Sequence, residues 1–187
     1  MESTRQRGAR AQDGGYSFRT LEQQEFYRLE ALYCALDAAA RRRRFSAGVS
    51  DASIRSHCDS LSGKGACVLG AFQSNRMDAA IEIVPFSPSW EAAEIAVTSF
   101  RHESDRLIRA LLRLAVEEAQ QRGCERLAVV LDDEDPVLMP LLASHGEVEL
   151  DDGVAWIDIS DSGDALFEAM VRRDGMPTGV LARTSSR

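Results

Sequence analysis

The spacing of apolar residues changes period several times along the chain, and each change marks an element. Residues 16–19 read as a first strand, with Thr20 as the cap of the next element. From Leu21 on, Phe26, Leu29, Leu32, Tyr33 and Leu36 recur at helical spacing, predicting a helix that runs to about Ala40. Ser50 opens a second helix over residues 51–61, with Ile54, Cys58 and Leu61 inward. The period then falls to two. Residues 67–72, 77–84 and 90–99 read as three strands of an antiparallel meander. A hairpin turn over residues 73–76 joins the first two, and Pro85 and Pro88 end the second. After Ser104, a good N-cap, the stripe Leu107, Ile108, Leu111, Leu112, Ala115 and Ala119 predicts a long helix that Gly123 stops. The run Leu127-Ala128-Val129-Val130-Leu131 is apolar without alternation, as befits a central strand buried on both faces. Strand, helix and strand in that order form a crossover unit, so the strands at 90–99 and 127–131 are expected to pair in parallel. A short helix with Pro140 in or before its first turn ends near Gly146. A hairpin of residues 147–150 and 154–159 closes the pattern across Asp151-Asp152-Gly153, with Val154, Trp156 and Ile159 as its apolar positions.

The implied fold class is α+β: a mixed central sheet, an antiparallel meander joined to a parallel strand–helix–strand unit, with helices on both faces. Residues 16–160 form one domain. Residues 1–15 read as a flexible tail, and residues 161–187, with one short helical stretch at 165–171, as a largely flexible extension.

Composition narrows the function classes. A chain that is 44% hydrophobic and 28% charged is ordinary for a soluble globular protein. The net charge of -8 argues against a nucleic-acid partner. No apolar run approaches the roughly 20 residues that span a bilayer. Arg5, Arg7 and Arg10 precede no apolar core, so the start is not a secretory signal. Cys34, Cys58, Cys67 and Cys124 form no CxxC pair and read as small buried residues of a reducing, cytoplasmic protein. The four arginines at 41–44 have three readings: a solvated helix end, a phosphate or nucleic-acid patch, or a segment that lends one arginine to a ligand cleft. Asp132, Asp133, Glu134 and Asp135, even with His102 and Glu103, match no calcium loop and read as an acidic turn, so no metal is expected.

Chemistry concentrates where the third meander strand runs into the long helix. On that strand Glu94, Ala96 and Thr98 alternate with Ile95, Val97 and Ser99, so one face carries a carboxylate and a hydroxyl. The first-turn amides of the helix are unpaired, and its dipole favours an anion.

The element order resembles that of the GNAT family of acetyl-coenzyme A-dependent N-acetyltransferases. Arg43-Arg44-Phe45-Ser46, with Val49-Ser50 and a short helix after it, is similar to a segment of bacterial GNAT domains related to protein-lysine acetyltransferases. Ala93-Glu94-Ile95-Ala96-Val97 is similar to the strand before the family's pyrophosphate loop, and Arg109-Ala110-Leu111-Leu112 to its long helix. The resemblance implies acetyl transfer from acetyl-coenzyme A to a primary amine, on a small molecule or a protein. It implies Glu94 as general base, with Glu82 as a second carboxylate to consider. The backbone N–H of Val97 or Thr98 would polarise the thioester. Arg106, Leu107, Ile108 and Arg109 fall on the pyrophosphate site, and Asp135 falls where the family often has asparagine. No tyrosine follows the last helix as the usual general acid, and His145 takes that place only if it turns inward. The family also often dimerises through its final strands.

The loop departs from the family pattern. Glu103, Arg106 and Ile108 stand where it has a glutamine or arginine and two small residues that let amides approach the pyrophosphate. Two further readings therefore stay open: a GNAT-like regulatory or protein-binding module without coenzyme A, and an acyltransferase fed by an acyl carrier protein.

Overall fold

The structure, a computed structural model, describes residues 11–13, 15–99, 105–130 and 138–160. The alternating stretches pair into one eight-stranded sheet. In chain order its strands are β1 (Ala11–Asp13), β2 (Tyr16–Thr20), β3 (Cys67–Gln73), β4 (Arg76–Pro85), β5 (Ala92–Ser99), β6 (Arg126–Val130), β7 (Val148–Asp151) and β8 (Val154–Asp158). In space they run β1-β2-β3-β4-β5-β6-β8-β7. Only the β5–β6 pair is parallel. The expected mixed sheet, meander and crossover are all present. β1 lies within the stretch expected to be a tail, so the sheet begins before Tyr16.

The helices are α1 (Phe26–Ala35), α2 (Ala38–Phe45), α3 (Asp51–Gly63), α4 (Asp105–Gln121) and α5 (Leu138–Leu142). The single helix expected from Leu21 to about Ala40 is divided. Leu36 turns extended, and the Asp37 side chain accepts from the Ala40 amide at 2.8 Å, starting α2 as a separate helix that carries all four arginines. Ser50 caps α3 as expected, accepting from the Ser53 amide at 3.2 Å. Pro140 sits in the first turn of α5, where its missing N–H would have had no helical partner.

Side-chain period divides the sheet into two faces. Leu69, Ile81, Ile95, Leu127 and Ile157 point one way and pack against Leu111, Leu112 and Ala115 of α4 and Leu141 and Leu142 of α5. Val68, Phe72 and Ala80 point the other way and pack against Leu29, Leu32 and Tyr33 of α1 and Ile54, Cys58 and Leu61 of α3. A register shift in the β3–β4 ladder leaves Asp78 as the extra residue, between Met77 opposite Phe72 and Ala79 opposite Ala71.

Register also corrects the final hairpin. β8 sets Ile157 opposite Leu127 and Ala155 opposite Val129, so Ala155, Ile157 and Ile159 are the buried positions. Val154 and Trp156 stand on the opposite face, where the Trp156 ring lies under the Arg126 guanidinium at 4.8 Å and beside Phe86. Asp152 (φ 45°) and Gly153 (φ 80°) supply the positive backbone angles of the two-residue turn.

Candidate functional site

β5 and β6 pair over three residues only: Ala92 with Arg126, Ala93 with Leu127 and Glu94 with Ala128. Past that point β5 continues against β4 to Ser99, while Val129 and Val130 pair with β8 alone. The parallel strands part at Glu94, and the far edge of β5 from Ile95 on has no strand beside it among the described residues. Glu94 is half-buried at this fork. Thr98, on the same face, is 5% exposed, and its Oγ1 has no hydrogen-bond partner among the described residues. Val97 faces the other way and packs against the α4 core.

α4 begins at Asp105, so Arg106, Leu107, Ile108 and Arg109 all lie in its first turns. Leu107 is 7% exposed and Ile108 is half-buried against the same apolar core. Their side chains are therefore core, and what they can offer an anion is backbone N–H at a helix N-terminus. Arg106 and Arg109 are exposed. His145 is buried, where a surface place was expected; burial, and then the charges of Arg109 and Arg113, hold it below the ordinary histidine value. Ser104, Glu103, His102 and the acidic turn with Asp135 lie outside the described residues.

A second set of groups meets on the α1–α3 face. Glu82 of β4 is 1% exposed and stands opposite Ala96 of β5, on the face that carries Glu94. Its carboxylate accepts from the Tyr33 hydroxyl, from the Arg44 guanidinium at 2.8 Å and from His57 Nε2 at 2.9 Å. Arg44 Nε also donates to the Tyr33 oxygen at 3.2 Å. The Phe45 ring meets the edges of both Tyr33 and His57, at 5.2 and 5.4 Å between centroids. Burial pushes the Glu82 carboxyl up, but the His57 hydrogen bond and the Arg44 charge outweigh it and hold the group below the ordinary glutamate value. Burial, and then the Glu82 charge, raise the Tyr33 phenol well above its usual value.

Glu82 is thus an ionised carboxylate whose lone pairs are already committed, which removes it as a competing base. The arginine run is not merely a solvated helix end. Arg44 lies on Glu82, and Arg41 donates to the carbonyls of Cys34 at 2.6 Å and Leu36 at 3.2 Å and to Asp51 at 2.7 Å. The signal for this cluster was present in the sequence as a lone carboxylate inside the apolar run Ala79-Ala80-Ile81-Glu82-Ile83-Val84. A buried carboxylate needs partners, and a basic segment elsewhere in the chain is one source of them.

The cysteines are free; burial raises the Cys58 and Cys67 thiols to about 12, which leaves them without nucleophilic thiolate. Among the described residues, no group of three His, Cys, Asp or Glu side chains is placed to hold a metal, and no helix is long and apolar enough to cross a membrane.

No protein-family model matches the chain, and no curated protein matches it in sequence. Solved structures do. The GNAT domain of S. lividans PAT matches with a TM-score of 0.64 at 19% identity, over 80% of this chain and 94% of that one. A ribosomal-protein-alanine N-acetyltransferase from Brucella melitensis gives 0.57 at 17% identity, over 75% and 96%. The paia N-acetyltransferase from Thermoplasma acidophilum, in complex with coenzyme A, gives 0.52 at 15% identity, over 76% and 98%. The chain has the fold of the GNAT acetyltransferases.

Proposed function

We propose that this chain with the GNAT fold transfers an acetyl group from acetyl-coenzyme A to a primary amine, on a small molecule or a lysine side chain, with Glu94 as general base. The observation that carries the reading is the parting of β5 and β6 at Glu94. It opens one edge of a central strand to a ligand and sets a half-buried carboxylate at the fork. The buried, unpartnered Thr98 Oγ1 beside that edge fits a site completed by a bound group.

On this reading the first turns of α4, over Arg106, Leu107, Ile108 and Arg109, meet the pyrophosphate through the amides that precede the first intrahelical hydrogen bond, with the Arg106 guanidinium adding charge. Asp135, which follows β6 in sequence, lies outside the described residues. When bound, acetyl-coenzyme A supplies an acyl carbon activated by its thioester. The N–H of Val97 or Thr98 is the donor for the carbonyl oxygen as negative charge grows on it. Glu94 draws the acceptor's ammonium to the fork and accepts a proton from its nitrogen. A cytoplasmic setting and a homodimer through β7 and β8 belong to the same proposal, the second checked by light scattering on the purified chain.

Calorimetric titration with acetyl-coenzyme A tests the reading, and no heat at millimolar ligand sinks it. The second reading, a regulatory or protein-binding module without coenzyme A, draws on Arg106 and Ile108 standing where the family has small residues. It expects Arg106→Gly with Ile108→Gly to create or strengthen coenzyme A binding. An unchanged affinity in the double variant counts against it.

A further inference from the structure

An alkylammonium acceptor gives up two protons during acyl transfer, one before its nitrogen attacks and one after the N–C bond has formed. The first is harder to remove, because an alkylammonium is a weak acid with a reference pKa of about 10.4. A carboxylate is a poor base for that step; an imidazole is intrinsically stronger by about two pKa units.

The α1–α3 face holds such an imidazole in a fixed setting. His57 Nε2 lies 2.9 Å from one oxygen of Glu82 and 3.1 Å from the other. Glu82 is ionised and can only accept, so Nε2 carries the hydrogen. Nδ1 is then the nitrogen left for proton exchange. The carboxylate is itself held by Tyr33 and Arg44, and Phe45 packs against the imidazole ring. Tyr33 of α1 and Glu82 of β4 face the His57 ring directly, and Arg44 of α2 meets it through Glu82. This is the arrangement of a base oriented by a buried carboxylate. The His57 side chain keeps 23% of its surface exposed. Glu82 and Glu94 share one face, with Glu82 opposite Ala96 and Glu94 opposite Val84. They are diagonal neighbours, about 7–8 Å apart at the backbone and within reach of long side chains. α2, which brings Arg44 and Phe45, lies against β5.

We propose that His57 is a second catalytic base of the acetyl transfer, taking the first proton from an alkylammonium acceptor at Nδ1, with Glu82 as its positioning residue. The proposal rests on the acetyltransferase reading and divides the proton work within it. His57 takes one proton from the ammonium, and the freed nitrogen lone pair forms the N–C bond to the acyl carbon. Glu94 takes the second proton, from the far more acidic nitrogen of the adduct. The C–S bond breaks, the sulfur leaves as thiolate, and that second proton passes to it. The proton on His57 goes to water, so each turnover releases one proton and needs no oxidant or reductant.

The test compares two probe amines with acetyl-coenzyme A, following thiol release at neutral pH. n-Butylamine arrives protonated and needs both steps; aniline arrives neutral and needs only the second. His57→Gln keeps an amide N–H for Glu82, which preserves the fold. It is expected to slow n-butylamine acetylation by about 10²-fold or more and aniline acetylation less than about threefold, while Glu94→Gln slows both. Equal slowing of both amines by His57→Gln, or slowing of neither, overturns the proposal. A wild-type chain that gives no heat with coenzyme A overturns the acetyltransferase reading itself, and this assignment with it. A chain that binds coenzyme A but acetylates neither probe is judged by nitrogen NMR of His57 with n-butylamine added. An Nε2–H tautomer whose Nδ1 signal moves with the amine supports the proposal; an Nδ1–H tautomer or an unmoved signal overturns it.

Discussion

The two faces of one sheet are held by opposite means. Toward α4 and α5 the contact is mainly apolar, with Ile81, Ile95, Leu111, Leu112 and Leu127 all buried. Toward α1–α3 an apolar layer of the same kind surrounds a carboxylate, a guanidinium, a phenol and an imidazole in mutual contact. Dispersion and burial tolerate small shifts, because they depend on area. A buried ion pair does not, since removing one partner strands the other without water. The α4 face therefore supplies stability with little demand on orientation. The α1–α3 face fixes the last turn of α2 and the middle of α3 at defined positions around Glu82.

The sharpest way to break the contrast is Glu82→Ala. It leaves Arg44 buried without its carboxylate and Tyr33 and His57 without their acceptor, at a cost of about 3–5 kcal/mol in denaturant unfolding. Its acid-side behaviour is set by the direction of the shift. The folded carboxyl lies below the ordinary value of 4.5, so its contribution is complete above that value and is lost as pH falls through the lower folded one. A melting series from pH 6 downward should show that loss in the wild type and a shallower slope in Glu82→Gln. A slope unchanged by Glu82→Gln would mean that the folded carboxyl is not held below its ordinary value.

The matching change on the other face is Leu112→Ala, which removes a fully buried side chain where α4 meets the sheet. Truncations of this kind cost about 2–5 kcal/mol, and the expected value here is about 3. The two faces should differ in which replacements rescue them. Leu112→Met should recover most of the loss, because volume is what that face requires. No aliphatic residue should restore the wild-type proton chemistry at position 82. Recovery of both function and stability by Glu82→Met would erase the distinction between the faces.

The apolar face was also the more legible one in the sequence. Period alone placed Leu107, Leu111, Leu112, Ala115 and Ala119 on one stripe of α4, and all five are buried. The meander and the parallel crossover followed from strand order, as did the α+β class. What period could not show was contact across distant segments. Tyr33 and Glu82 are 49 positions apart; Glu82 stands out as a lone carboxylate in an apolar run, but nothing near it in the sequence names its partners. Arg44 looked like one member of a charged run, because a run of arginines has no period that singles out the inward one. Val154 and Trp156 were named as apolar positions of the hairpin, whereas the β6 register buries the smaller Ala155 with Ile157. At the fork, Glu94 and Thr98 could be placed on one face from alternation. That β5 and β6 separate there is a property of the ladder and left no mark in either strand alone.

A glycine tests how closely the outer edge of the apolar face is built. A Cβ added at Gly146 would lie 2.0 Å from the Asp158 carbonyl oxygen and 3.2 Å from Ile157 Cγ2. Neither the backbone oxygen nor the paired strand that carries it can move without disturbing the β7–β8 hairpin. Gly146→Ala should cost about 1–3 kcal/mol, with amide exchange raised across both strands. By contrast a Cβ at Gly48, before α3, meets nothing within 4 Å. Gly48→Ala should therefore leave the unfolding midpoint almost unchanged.

A small effect bears most directly on the polar face. α2 is eight residues long and buries none of them fully, so packing alone does not hold it in place. It is held by Arg44 on Glu82 at one end and by the Asp37 cap at the other. Asp37→Ala removes the acceptor of the Ala40 amide and should cost about 1 kcal/mol, and Asp37→Ser should recover most of it. If α2 is positioned as a unit, the loss at its first turn will reach the last, and amide exchange at Arg44 and Phe45 will rise together with that at Ala40. Exchange confined to Ala40 and its neighbours would show instead that the Glu82 network fixes the end of α2 without help from its start.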